Sequence, residues 1–203
     1  TQTTSMDCFE KFRDADIPMV FFDKVPEETA YHKVSVADEQ AAKLAAELLL
    51  EKNKKYILAL FGSNILSITR KRLPAFKKII SLQKEAKASY EHCHSSAEAR
   101  ETTQKYFSRK KMPDAVFCMS DEILMGVMKT LNELGIRIPE QTAVVALSDG
   151  FMPKIFTPEI TYIETSGYKL GKLAFSQMLH CINGNTEPLE QFANSMVVKG
   201  QSL

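Results

Sequence analysis

Five short stretches of unbroken apolarity, each of strand length, punctuate this chain: Ile17 to Phe22, Tyr56 to Phe61, Ala115 to Met119, Ala143 to Leu147 and Met196 to Val198. A strand with no polar face must be covered on both sides, and parallel sheets flanked by helices provide that cover. Segments of helical period fill the gaps. Residues 38–51 put Ala41, Ala45, Leu48 and Leu49 on one face, residues 69–82 do the same with Leu73, Phe76 and Ile80, and a third helix is predicted over 96–108. The clearest helix covers 121–134. There Ile123, Leu124, Val127, Met128, Leu131 and Leu134 keep the helical spacing, Ser120 is a natural N-cap and Gly135 supplies a left-handed stop. A further helix over 167–182 carries Leu170, Leu173, Ala174, Met178 and Cys181 and closes at Gly184. The alternation predicts an α/β chain built on parallel sheets with helices on their faces.

Composition narrows the function. With 203 residues, 44% hydrophobic and 25% charged, the chain has room for one large domain or two small ones, and disorder, collagen and coiled coil are excluded. The 26 Lys and Arg balance 25 Asp and Glu, so a net charge of +1 offers no general field for a polyanion, and these residues are not expected to bind nucleic acid by themselves. No run approaches the about 18 uncharged apolar residues of a membrane span, and no signal-peptide pattern opens the chain. The expectation is a cytoplasmic protein with no membrane partner. Cys8, Cys93, Cys118 and Cys181 lie far apart, which favours reduced thiols over a disulfide framework. The first residue is Thr, so excision from a longer chain stays open.

In an open parallel sheet, ligands bind beyond the carboxyl ends of the strands, where loops and helix N-termini converge. Those ends deliver Asp23, then Gly62-Ser63-Asn64, then Ser120-Asp121, then Ser148-Asp149. Hydroxyl, amide and carboxylate groups on one edge suit a polar, polyhydroxylated small molecule, and an arginine can donate back. Each residue alone is better explained as a turn former or N-cap; the set is the signal. No nucleophile elbow, Walker loop, dinucleotide fingerprint or zinc spacing occurs, so neither catalysis nor a cofactor is expected. His92-Cys93-His94 resembles a metal cluster, but no third or fourth ligand is evident, and a polar surface segment is the better reading. Arg72 differs from the other basic residues: read as lying at a helix start, where a cation is disfavoured, it calls for a functional reason.

The wording of the sequence also resembles a known family. Ile17-Pro18-Met19-Val20-Phe21-Phe22-Asp23-Lys24 looks like the IPVVFxDR segment of the LacI/GalR bacterial transcriptional regulators. Leu44 to Leu49 with Lys54-Lys55 and the following strand, Ser67 to Leu73, and Met112-Pro113-Asp114 through Ser120-Asp121-Glu122 to Pro139-Glu140 are similar to that family in order. So are Phe156 to Ile163 and Val197-Val198-Lys199-Gly200-Gln201-Ser202.

The resemblance implies a periplasmic-binding-protein-like effector domain of type I: two α/β subdomains with three crossovers, near Val36–Asp38, Ile163–Ser166 and Val198–Gly200. Residues 1–36 would form part of the N-terminal subdomain and 37–163 the C-terminal one, while 164–203 would return to the N-terminal subdomain and end near the third crossover. It also implies that the chain begins late, without the first two strands, first helix and DNA-binding headpiece. The family's cleft residues fall on Asp23, Arg72, Ser120, Ser148 and Thr165, with Asp149 beside them. Where the family commonly carries Asn, Asp and often Gln, this chain has Ser120, Ser148 and Thr165, so two acceptors for sugar hydroxyls become short hydroxyls. The implied function is that of a transcriptional regulator's effector domain sensing a sugar or sugar derivative. Its implied partners are operator DNA, through the headpiece, and a second copy, through Met125, Met128, Phe151 and Phe156. The alternative within the fold is an exported solute-binding protein of a transporter.

Overall fold

In the computed structural model, which describes residues 6–26, 30–185, 187 and 189–203, the predicted alternation becomes two separate sheets. The elements run α1 (Asp7–Asp14), β1 (Val20–Phe22), β2 (His32–Val36), α2 (Asp38–Glu51), β3 (Tyr56–Phe61), α3 (Ser67–Ser81), β4 (Lys87–His92), α4 (Ser96–Phe107) and β5 (Ala115–Cys118). They continue as α5 (Asp121–Glu133), β6 (Ala143–Ser148), α6 (Met152–Ile155), β7 (Thr161–Glu164), α7 (Gly167–Ile182), β8 (Glu190–Ala193) and β9 (Val197–Val198). The chain divides into a smaller unit, Thr1–Ala37 with Ser166–Ala193, and a larger one, Asp38–Thr165 with Asn194–Leu203.

The larger unit holds a six-stranded sheet in the order β4-β3-β5-β6-β7-β9, parallel except for β9. Its central strands are the continuous apolar runs: β5 and β6 are buried at every position, and β3 at all but Tyr56. The chain steps from β3 outward to β4, then returns to the other side of β3 for β5 and β6. Right-handed crossovers therefore put α3 and α5 on opposite faces, and the carboxyl ends of β3 and β5 flank the point where the strand order reverses. Phe61, Phe76 and Phe117 meet inside, the last two stacked at 4.5 Å.

The smaller unit is a three-stranded parallel sheet, β1-β2-β8, covered by α7. Its buried apolar cluster is Val34, Leu170 and Ala193. Beside it, Phe21 packs edge-on against Phe9 and Tyr31 at 5.0 and 5.1 Å.

Two expectations need correction, and one short helix joins the set. The third passage between the units falls after Ala193, not at Val198–Gly200. The tail belongs to the larger unit because β9 pairs with β7 and Ser202, fully buried, donates to the Val144 carbonyl at 2.6 Å and accepts from the Thr161 N–H at 2.8 Å. The segment 152–155, to which no element was assigned from the sequence, forms the single turn α6 with Pro153 in its first turn. The first strand is three residues rather than six. Pro18 has no N–H to give, and the Ile17 N–H goes instead to the Phe12 carbonyl.

Candidate functional site

Ser120 and Ser148 behave first as local structure. Ser120 caps α5 by accepting from the Ile123 N–H at 3.4 Å, and the Ser148 Oγ accepts from the Gly150 N–H at 2.9 Å. Asp149 is exposed and closes an Asx turn onto the Phe151 N–H at 3.1 Å, which launches α6. Thr165 lies beside Ser148, donating its N–H to that residue's carbonyl at 2.8 Å. The carboxyl edge of the larger sheet thus gathers Ser120, Ser148, Asp149 and Thr165. Asp121, named at the strand end but not ranked as a ligand, joins them. Burial raises its pKa, the charge of Asp149 adds to the rise, and the Ser148 hydroxyl and Asp149 N–H oppose it. Its Oδ1 is buried with no hydrogen-bond partner among the described residues.

Arg72 lies in the second turn of α3 rather than at its start, since the helix begins at Ser67. It is 7% exposed. Its Nε and one terminal nitrogen each reach Asp38 Oδ1 at 2.7 Å, and the other terminal nitrogen donates to the Met119 carbonyl at 3.3 Å. Asp38 opens α2, where the helix dipole favours a carboxylate. Around this pair, Thr69 Oγ1 meets the Met119 sulfur at 3.7 Å, and a Cβ on Gly62 would come within 2.9 Å of the Met119 methyl. A Cβ there would press on the flexible end of the Met119 side chain, which would have to shift to admit it. His92, which closes β4, holds the Gly62 carbonyl through Nδ1 at 2.7 Å. This is the switch point of the sheet, built from the ends of β3, β4 and β5, the first turn of α2 and the first two turns of α3.

Asp23 belongs to the smaller unit, at the end of β1, in the left-handed region at φ 69° and ion-paired to Lys24 at 3.6 Å on the surface. Asp38 and Thr69 went unnoticed as site residues in the sequence, and His92 was weighed there only as a metal ligand. Among the described residues, no group of three His, Cys, Asp or Glu is placed to hold a metal. Elsewhere on the larger unit, Met125, Met128, Ile136, Met152, Ile155 and Phe156 line a groove of about 720 Å³, and Phe151 stands exposed next to it.

A family of periplasmic binding protein-like domains matches residues 46–203. The chain belongs to that family. Within this periplasmic binding protein-like group its curated relatives include the "HTH-type transcriptional repressor PurR" of Vibrio atlanticus, 28% identical over 84% of this chain and 52% of that protein. Another is the "Ribose operon repressor" of Halalkalibacterium halodurans, 25% identical over 97% of this chain and 59% of that one. The chain spans about half the length of the curated relatives it matches. Among solved structures, a LacI family transcriptional regulator from Enterococcus faecium with bound ribose superposes with a TM-score of 0.88 at 21% identity, over 98% of this chain and 75% of that one. One from Arthrobacter in complex with lactose gives 0.83 at 16%, over 98% and 76%. The periplasmic-binding-protein-like α/β fold and the LacI/GalR resemblance read from the sequence both stand.

Proposed function

We propose that this chain is the effector-binding region of a LacI/GalR-type transcriptional regulator, cytoplasmic and non-catalytic, which senses a small polar molecule of the sugar or nucleoside kind. The observation that carries this reading is the polar carboxyl edge of the larger sheet, where Arg72 of α3 stands at the switch point and Ser120, Asp121, Ser148, Asp149 and Thr165 follow the ends of β5, β6 and β7. Relatives named as repressors, and neighbours named with bound ribose and lactose, support it. With a net charge of +1, these residues would leave operator reading to another part of the protein. The apolar groove under α5 and α6 would receive a second copy of the chain, with Met125, Met128, Phe151 and Phe156 at the contact.

A thermal-shift and calorimetry screen over neutral sugars, nucleosides, sugar phosphates and sugar acids tests the effector reading. One class should raise the Tm saturably with no product formed. Silence across the panel, or turnover of any compound, would contradict it. For the groove, sedimentation should show a dimer that Phe156→Glu dissociates.

A further inference from the structure

We propose that Asp38 sets the charge class of the effector: by neutralising Arg72 it makes this edge a site for uncharged, hydrogen-bond-donating molecules, polyols or nucleosides, and turns phosphorylated and carboxylated ones away. The proposal rests on the effector reading above and gives it a ligand class.

The geometry is that of a cation already spent. Two of the guanidinium nitrogens share Asp38 Oδ1 at 2.7 Å and the third bonds the Met119 carbonyl, with the two side chains only 9% and 3% exposed. A pair this buried is held against solvent screening, and its net charge is zero. An incoming phosphate would have to displace a carboxylate fixed at a helix N-terminus or lie against it. The neighbouring strand ends add neutral hydroxyls, from Ser120 and Ser148, and more negative charge, from Asp121 and Asp149. Arg70, two residues earlier on α3, is exposed and donates to the Ile65 carbonyl at 2.9 Å. Yet a guanidinium carries five N–H groups, and three serve these contacts, so two remain to donate to a neutral oxygen. Carboxylates nearby accept from hydroxyls in turn. Donors without net positive charge, beside acceptors, match a polyol or nucleoside and mismatch an anion.

Inorganic phosphate and ribose 5-phosphate probe the masked cation without knowledge of the effector. In the native chain, thermal shift at ionic strength matched with KCl should show no phosphate response beyond that of the neutral double variant Asp38→Asn/Arg72→Gln. That variant removes both charges together, so neither is left buried and unpaired, and its urea midpoint without phosphate checks that it is folded. Asp38→Asn alone exposes the cation and should gain a saturable rise of about 2 °C or more with phosphate that chloride does not give. If that variant folds only when phosphate is present, the same conclusion follows. A native response larger than that of the double variant would overturn the proposal. So would equal responses in the native and Asp38→Asn chains. Should these arms behave as expected while no neutral sugar or nucleoside binds, the effector reading fails and the masking of Arg72 stands; a sugar phosphate that binds through Arg72 fails the masking alone.

Discussion

The two units use the same ingredients, parallel strands with helices laid over them, and reach very different degrees of burial. In the larger unit Phe61, Phe76 and Phe117 are fully enclosed by a sheet with helices on both faces. In the smaller unit three strands and α7 enclose Val34, Leu170 and Ala193, while Phe22, Tyr168, Phe175, Ile182 and Phe192 remain exposed. Apolar content is not what separates them. A three-stranded sheet has only one inner strand, so few side chains can be covered from both directions, whatever their hydrophobicity.

If that difference governs stability, matched substitutions should give unequal losses. Phe117→Ala should lower the urea midpoint by an amount equivalent to about 3–5 kcal/mol, whereas Leu170→Ala should leave the main transition in place and loosen only the smaller unit. Equal shifts would erase the contrast.

Each unit also carries an ion pair, and these compare in the same way. Arg72→Ala strands a buried Asp38 and should cost about 3–5 kcal/mol. Lys33, held to Glu190 at 3.4 Å with the glutamate one-third exposed, should cost about 1 kcal/mol or less as Lys33→Met, which keeps the stem packed.

Thiol labelling extends the contrast to dynamics. Cys8 is exposed and should react at once, while Cys118, fully buried with its pKa driven well above the usual thiol value by burial, should react only on global unfolding. Early modification of Cys118 would mean that the large core opens locally.

How much of this was legible follows from the same physics. β3, β5 and β6 announce themselves because double burial leaves no polar residue in them. β2 does not, because Lys33 and Ser35 are buried in it, and β4 is an edge strand whose polar positions read as surface. Arg72 stood out by family resemblance. Its partner could not, since Asp38 lies 34 residues away and meets it only because the fold places the starts of α2 and α3 together. Ser120 and Ser148 were visible as strand-end hydroxyls, but their capping and turn bonds depend on backbone geometry that spacing does not reveal.

The smallest expected effect concerns pH at the site edge. Asp121 has a raised pKa, so between the ordinary aspartate value of 3.8 and that raised value the folded chain holds more protons than the unfolded one. Stability should therefore fall slightly as pH rises through this window. Asp121→Asn should flatten that slope in urea titrations run across it, while the same substitution at Asp149 should lessen the fall without abolishing it, because burial is the larger cause.

Amide hydrogen exchange on the intact chain, at a concentration where sedimentation shows a monomer, tests the contrast between the units most directly. Amides of β5 and β6, such as Val116 and Val145, should exchange only through global unfolding, with those of β1 and β2 exchanging through a much less costly opening of the smaller unit. Equal protection of Val34 and Val116 would contradict the account.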